Sequence, residues 1–244
     1  MSAPALVLIP GLMCDQSVWQ AQCAELRGRG IECRIAEHGL ADSLQAMAAA
    51  VLAAHPGPLA VAGHSMGGRV ALELARVAGA RLRGVALLDT GYRPLAPGEE
   101  GEREVRARMA LLEQARAQGV RAMAATWVQG MVHPDRLQDH ALIDAILNMF
   151  ERRSVAHFAA QIRALIGRPD AGPLLPTIHC PTLLLCGEQD RWSTPAQHRA
   201  MAQLIPGAAL TCVPECGHMA PLEQPVAVNA ALRSWFARVE TFNS

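Results

Sequence analysis

The segment that most restricts the fold of this chain is a short glycine-rich turn around Ser65. It reads GHSMGG over positions 63–68 and matches the pattern G-x-S-x-G. The apolar run Leu59–Ala62 precedes it directly, and the amphipathic stretch Gly67–Ala78 follows it. Glycines in such a turn let backbone segments approach each other without a Cβ between them. The order strand, tight turn, helix therefore predicts a serine lifted above the edge of a sheet.

Other short apolar runs alternate with helical patterns along the chain. Several are apolar almost throughout, which is typical of parallel strands covered by helices on both faces. This alternation predicts an α/β fold with a mostly parallel sheet of about six strands flanked by helices. The predicted strands are Ala5–Ile9, Glu32–Ala36, Leu59–Ala62, Gly84–Asp89, Thr182–Cys186 and Ala209–Val213, and the predicted helices are Val18–Arg27, Leu44–Ala54, Gly67–Ala78, Gln197–Leu204 and Pro225–Val239.

One long stretch interrupts this alternation. From about Arg93 to Pro169 the helical patterns continue without a convincing strand, between a charged, turn-rich opening and a Pro- and Gly-rich close. We predict that residues 94–169 form a helical cap, inserted into a core made of residues 1–93 and 170–244. Its Met and aromatic residues suit helix packing and, in part, an adaptable apolar wall for a substrate.

The composition excludes several classes of chemistry. All 22 basic residues are Arg, so a Schiff-base lysine, a pyridoxal phosphate attachment and a P-loop lysine are excluded. The formal net charge of zero gives no reason to expect nucleic acid or an anionic membrane as a partner. Without a signal-like N-terminus or a run of about 18 apolar residues, we expect no membrane span and a cytoplasmic location. The seven scattered Cys lack CxxC spacing and predict buried thiols rather than a zinc site.

A serine nucleophile needs a base, and the base needs an orienting carboxylate. His218 follows the last predicted strand, in a loop that returns to the carboxyl edge of the sheet, where Ser65 is expected. Asp190 follows the preceding strand at the same edge, which gives the chain order Ser, Asp, His. Asp89 ends an earlier strand on this edge and remains the alternative acid. We favour Asp190 as the third member.

The oxyanion that forms during attack needs two N–H donors. One is predicted to be the backbone N–H of Met66, the residue after the nucleophile. The second is predicted to be the backbone N–H of Leu12, in the loop after the first strand. Gly11 is expected to let the backbone turn there.

The remaining polar residues near these motifs receive other roles. His64 is expected to point away from the serine and to be structural. Asp15 is expected to cap the helix that starts near Ser17. Glu188 is a lesser candidate for the acid, and Glu215 is expected only to pack in its loop.

Four segments in this order resemble the α/β-hydrolase-fold family over essentially the full length: LVLIPGLMCDQSVW, VAGHSMGG, LLLCGEQDRWSTP and VPECGHMAPLEQP. The resemblance implies a helical cap inserted after the strand that ends at Asp89, and the triad already reached from the residues. Pro10-Gly11 replaces the His-Gly of many relatives, and AEHGLADS replaces a longer Gly- and Ser-containing loop. The strands that precede Ala5 in relatives are missing, which implies a trimmed sheet. These departures bear on the substrate rather than on the nucleophile.

The triad predicts hydrolysis of a small, mainly apolar carboxylic ester through an acyl-enzyme. The resemblance leaves other functions open: hydrolysis of a carbon–carbon bond or an enol-lactone, acyl transfer, or a receptor-like role with little turnover. We expect no metal ion and no organic cofactor. The sequence predicts no oligomeric state.

Overall fold

The computed structural model describes residues 4–242, and a six-stranded sheet lies at its centre. The strand order is β2-β1-β3-β4-β5-β6, and every neighbouring pair is parallel. The predicted α/β fold with about six strands is therefore confirmed. The strands are β1 (Ala5–Ile9), β2 (Cys33–Ile35), β3 (Leu59–His64), β4 (Leu82–Leu88), β5 (Thr182–Gly187) and β6 (Ala209–Val213).

In the described part of the chain, ten α-helices follow or flank these strands. Helix α1 packs against α10, and α2 packs against α3. No helix between residues 4 and 242 is both long and apolar enough to cross a membrane. The helices are α1 (Gln20–Arg27), α2 (Leu44–Ala54), α3 (Met66–Val77), α4 (Glu99–Gln118), α5 (Val120–Trp127), α6 (His140–Glu151), α7 (Val155–Ile166), α8 (Pro195–Leu204), α9 (Ala220–Glu223) and α10 (Pro225–Thr241).

The close fit of α10 on the sheet depends on a glycine in β4. A Cβ on Gly84 would lie 2.4 Å from Val239 and 3.1 Å from the Trp235 ring, both on α10. The Trp235 indole N–H also donates to the Pro181 carbonyl at 2.9 Å, just before β5. A buried Trp with its N–H paired adds apolar burial without a desolvation penalty. The last helix is thereby fixed against the strands that precede the candidate acids.

The ends of the predicted elements differ from the observed ones by a few residues. The helix predicted from Val18 begins as a 3₁₀ turn over Gln16–Trp19, capped by Asp15, and continues as α1. Helix α8 starts earlier than predicted because Thr194 and Gln197, which flank Pro195 at its first turn, form a capping box. Strand β4 stops one residue early, because Asp89 has a φ of 47° and leaves the extended conformation.

The segment between β4 and β5 contains α4 to α7 and short 3₁₀ turns, and no strand is found in this part of the described chain. Helix α5 packs against α4 and α6, and α4 also packs against α7. On the surface, Arg121 links this group through ion pairs to Asp144 at 3.2 Å and Glu151 at 3.1 Å. The division into a core of residues 1–93 and 170–244 and a cap of residues 94–169 stays a prediction.

Candidate active site

Ser65 occupies a strained corner between β3 and α3. Its backbone has a φ of 55° and a ψ of −116°, a conformation that costs a non-glycine residue about 1–3 kcal/mol. The end of β4 holds it there: the Ser65 N–H donates to the Leu88 carbonyl at 2.8 Å, and the Thr90 hydroxyl donates to the Ser65 carbonyl at 2.6 Å. Strain supported in this way is typical of a functional residue.

The glycines around Ser65 permit backbone contacts that a side chain would block. A Cβ on Gly63 would lie 2.2 Å from the carbonyl oxygen of Gly67. A Cβ on Gly67 would lie 2.1 Å from the carbonyl oxygen of Ile9, at the end of β1. The predicted reason for these glycines, close approach without a Cβ, therefore holds for both positions.

A continuous hydrogen-bonded chain runs from Ser65 to Asp190. The Ser65 hydroxyl lies 2.8 Å from His218 Nε2, and His218 Nδ1 lies 2.8 Å from Asp190 Oδ2. The other oxygen, Asp190 Oδ1, accepts the backbone N–H groups of Trp192 at 2.9 Å and Ser193 at 3.0 Å. With Nδ1–H donating to the carboxylate, Nε2 is free to accept the serine proton.

The environment of Asp190 keeps its carboxyl group ionised. Burial alone would raise its pKa, but the charge and the hydrogen bond of His218, together with the N–H groups of Ser193 and Trp192, lower the pKa to about 2. A hydrogen-bonded carboxylate buried beside an imidazole favours the protonated ring. The arrangement therefore stabilises the positive charge that His218 gains when it takes a proton.

Asp89, the alternative acid, is fully buried but does not contact the His218 ring. Its oxygens accept the N–H groups of Gly187 at 3.0 Å and Ala220 at 3.3 Å, and Oδ2 lies 3.7 Å from His64 Nε2. Burial, followed by the nearby charge of Asp190, raises its pKa well above the usual range. The structure thus brings Asp190, and not Asp89, next to the histidine.

His64 lies against the loop that carries His218. Its buried Nε2–H donates to the His218 backbone carbonyl at 2.8 Å. Burial, followed by the charge on His218, lowers the pKa of His64 to about 3, so the ring is neutral at neutral pH. Its contact with the loop backbone agrees with the predicted structural role.

Glu223, in α9, accepts hydrogen bonds from three backbone N–H groups, two of which belong to the His218 loop. Its carboxylate accepts the N–H of Gly217 at 3.1 Å to each oxygen and the N–H of Met219 at 3.0 Å. It also accepts the N–H of His133 at 2.7 Å, from the helical segment between β4 and β5. One buried carboxylate therefore satisfies donors from both sides of the site.

The backbone of the His218 loop packs directly against the backbone of the helical segment between β4 and β5. The His218 N–H donates to the Met131 carbonyl at 2.7 Å. A Cβ on Gly217 would lie 2.6 Å from the Val132 backbone and 2.7 Å from the Met131 oxygen. The position of the candidate base is thus coupled to that of residues 131–133.

We expect Glu223→Ala to lower the free energy of unfolding by about 3 kcal/mol or more, because three backbone donors lose their acceptor. The change corresponds to a drop in Tm of about 6–12 °C for a chain of this size. The exposed Glu113 supplies the control, because its one ion pair within residues 4–242 is with Arg116, one turn along α4: Glu113→Ala should change stability by less than about 0.5 kcal/mol. Urea unfolding measures both, and equal losses in the two variants would contradict this role.

The two predicted oxyanion donors lie close to the serine. Leu12 and Met66 both line the pocket that contains Ser65, and no acceptor for either backbone N–H is found between residues 4 and 242. The backbone turns at Gly11 as expected, since the Cys14 N–H donates to the Gly11 carbonyl at 3.1 Å, but this turn does not require a positive φ at the glycine. Its missing Cβ instead allows a close approach: a Cβ there would lie 2.9 Å from His64 Nδ1 and 3.1 Å from the Ser65 Cβ.

The loop after β1 is also fixed by the helical segment. Met13 has a φ of 61°, and its N–H donates to the buried Gln161 side chain of α7 at 2.8 Å. Asp15 caps the turn at Ser17, as predicted, and in addition accepts a hydrogen bond from Arg152 Nε at 2.6 Å. Gln161 and Arg152, both in the helical segment between β4 and β5, therefore hold the loop that contains Leu12.

Ser65 opens into a pocket of about 840 Å³. Trp192 flanks His218 with ring centroids 4.9 Å apart, and it stacks on Trp127 of α5 at 5.6 Å. Phe150 and other apolar side chains continue this wall, while a group of charged side chains forms another part of the lining. The expected apolar wall is therefore present, and the charged part was not predicted.

The remaining candidates do not join the site. Glu188 and Glu215 are exposed, and neither side chain forms a hydrogen bond or ion pair with His218 within the described residues. No group of three or more His, Cys, Asp or Glu between residues 4 and 242 is placed to hold a metal ion. Three supports of the site were missed: Thr90, Gln161 and Glu223. Only Glu223 carries a sequence signal, as a lone carboxylate in the apolar segment after His218.

Comparison with known proteins agrees with this architecture. The model of the alpha/beta hydrolase family matches residues 6–231. A 2-succinyl-6-hydroxy-2,4-cyclohexadiene-1-carboxylate synthase of Klebsiella pneumoniae is 31% identical over 172 residues, which are 70% of this chain and only 65% of that protein. A thermophilic esterase of Thermogutta terrifontis superposes with a TM-score of 0.87 at 29% identity, over 98% of this chain and 91% of the esterase.

A second solved structure supports the fold alone. The enol-lactonase of Burkholderia xenovorans LB400 has a TM-score of 0.82 at 24% identity, over 97% of this chain and 92% of the lactonase. The family model spans nearly the whole chain, and the strand–turn–helix around Ser65 lies within it. The chain therefore belongs to the alpha/beta hydrolase family.

Proposed function

We propose that this chain is a serine hydrolase that cleaves small carboxylic esters through an acyl-enzyme. Ser65 is the nucleophile, His218 the general base and acid, and Asp190 the group that orients the histidine. The backbone N–H groups of Leu12 and Met66 stabilise the oxyanion. The observation that carries the proposal is the chain of two 2.8 Å hydrogen bonds that ends on a serine lining an 840 Å³ pocket.

In the first half of the reaction, Ser65 Oγ attacks the ester carbonyl carbon while its proton passes to His218 Nε2. The carbonyl oxygen becomes negative and accepts hydrogen bonds from Leu12 and Met66. His218 then donates its proton to the alcohol oxygen as the C–O bond breaks. The acyl group remains on Ser65.

In the second half, water takes the place of the alcohol. His218 Nε2 accepts a proton from the water, whose oxygen attacks the acyl carbon. The C–O bond to Ser65 then breaks, and the serine recovers its proton from His218. The carboxylic acid leaves, and the free enzyme is restored.

The compared proteins are named for three different reactions, so similarity does not choose among them. The apolar wall formed by Trp127, Trp192 and Phe150 supports an ester or lactone with an apolar chain. An enol-lactone would react through the same acyl-enzyme. It is the second candidate, because a lactone is itself an ester and requires no further group.

The test is hydrolysis of ethyl esters with acyl chains of two to eight carbons, followed at constant pH by titration of the acid released. We expect turnover with an optimum chain length set by the apolar wall. Hydrolysis of an enol-lactone at least tenfold faster than of any open-chain ester would favour the second candidate. Folded protein that turns over neither would contradict the proposal and favour a receptor-like role.

A further inference from the structure

Positively charged side chains outnumber negatively charged ones in the lining of the active-site pocket. Four arginines and two glutamates line it, although the whole chain has no net charge. The pocket therefore holds an excess of two positive charges beside the candidate nucleophile. The residues are Arg69, Arg93, Arg108, Arg168, Glu100 and Glu104.

Glu104 is already shared by two of these arginines. Arg168 binds both of its oxygens at 2.7 Å, and the Arg168 side chain is buried. Arg108, four residues along α4, binds Oε1 through Nε and Nη2 at 2.9 Å each. The single negative charge of Glu104 is thus used by two guanidinium groups.

Arg69 has no carboxylate partner among residues 4–242. Its Nη1 donates to the Arg93 carbonyl at 2.9 Å, and the same oxygen accepts Arg168 Nε at 3.3 Å. Burial, followed by the charges of Arg168 and Arg108, lowers the pKa of Arg69 to about 9, so the group stays charged at neutral pH. A partly buried cation beside like charges is costly unless an anion joins it.

The position of Arg69 relates it to the reaction. Arg69 lies in the first turn of α3, four residues after Ser65, and its backbone N–H donates to the Ser65 carbonyl at 3.4 Å. Gly91 leaves room for it, since a Cβ there would lie 3.0 Å from Arg69 Nη2. Both Ser65 and Arg69 line the same pocket. One substrate molecule can therefore contact both residues.

We propose that Arg69 binds a carboxylate carried by the substrate, so that the pocket selects monoesters of small dicarboxylic acids. A guanidinium group can bind a planar carboxylate through two parallel N–H···O bonds. The apolar wall would hold the carbon chain between the carboxylate and the ester. This inference rests on the proposed function, because it names the substrate class of the same site.

The test compares two pairs of esters that match in shape and differ in charge. Monomethyl succinate is paired with methyl 4-oxopentanoate, and monomethyl glutarate with methyl 5-oxohexanoate. In the wild type we expect kcat/KM to be at least about tenfold higher for the anionic member of one pair, the scale of a charged hydrogen bond. Arg69→Gln should lower this ratio at least about tenfold, and Arg69→Lys should lower it less. The control is Arg76→Gln, further along α3 and paired with Glu73, which should leave the ratio unchanged.

Direct binding separates this inference from the proposed function. Succinate, 4-oxopentanoate methyl ester and inorganic phosphate are titrated calorimetrically into Ser65→Ala and into the double variant Ser65→Ala/Arg69→Gln. We expect succinate to bind the first protein and at least about tenfold more weakly to the second. Succinate that does not bind, that binds both equally, or that binds more weakly than phosphate would overturn the inference, even where esters are hydrolysed. If succinate binds through Arg69 but the wild-type protein hydrolyses no ester, the inference is supported and only the proposed reaction is contradicted.

Discussion

Ser65→Ala is expected to lower kcat for ester hydrolysis by at least about a thousandfold and up to about a millionfold, the range seen when a nucleophile is removed. Alanine retains the Cβ and with it the backbone geometry, but it has no oxygen to form the acyl-enzyme. The residual rate would come from the oxyanion donors and from substrate binding. Ester hydrolysis at constant pH measures both proteins under saturating substrate.

Ser193→Ala is the matched control for this variant. Ser193 lines the same pocket, but it supports Asp190 through its backbone N–H, which alanine also has. We expect its rate to stay within about tenfold of the wild type, because no step uses its hydroxyl. Equal losses of kcat in the two serine variants would contradict the assignment of Ser65 as the nucleophile.

Asp190→Asn is expected to lower kcat by about ten thousandfold, because an amide can donate to His218 Nδ1 and stabilise the wrong tautomer. The protonated ring would also lose the charge that stabilises it. Asp89→Asn should cost no more than about tenfold. The contacts of Asp89 are with backbone N–H groups rather than the His218 ring, so the variant leaves the partner of the imidazole in place. Steady-state kinetics of both variants across pH 5–9 measures the two effects.

A reversed order of these losses would assign the orienting role to Asp89. Thermal unfolding of both variants gives the necessary check on folding. An Asp190→Asn protein that is folded and fully active would contradict the assignment of the triad as a whole.

The sheet was predictable because parallel strands leave a strong local pattern. Each of the six apolar runs became a strand, and the errors were confined to their ends, where local capping decides. The same is true of the helices: α8 begins at Pro195, directly after its N-cap Thr194 and two residues before the predicted start at Gln197. Asp89 was wrongly predicted to be part of a strand, because its side chain accepts hydrogen bonds from Gly187 at the end of β5 and Ala220 at the start of α9, which the local sequence does not reveal. Such contacts join residues far apart in sequence and leave no periodicity.

The candidate triad was predictable for a related reason. Ser65, Asp190 and His218 each follow a recognisable strand, and the carboxyl ends of parallel strands meet at one edge. Apart from Glu223, the residues that support this site were not predictable. Gln161 is buried in a helix, where a single polar residue has the same sequence pattern as one on the surface. The same holds for the partly buried Arg69 in α3. The zero net charge of the chain also concealed the local excess of arginine in the pocket, because the compensating carboxylates lie elsewhere.

The most direct test of the central claim is to locate the group that reacts with a fluorophosphonate. We would incubate the folded protein with this reagent, digest it, and identify the modified peptide by mass spectrometry. We expect one adduct per chain, on Ser65, and at least a hundredfold slower labelling of His218→Ala, because the serine then lacks its base. Rapid labelling of Ser65 in the wild type would support a serine activated by His218. A folded protein that is not labelled, or that is labelled on another residue, would contradict it.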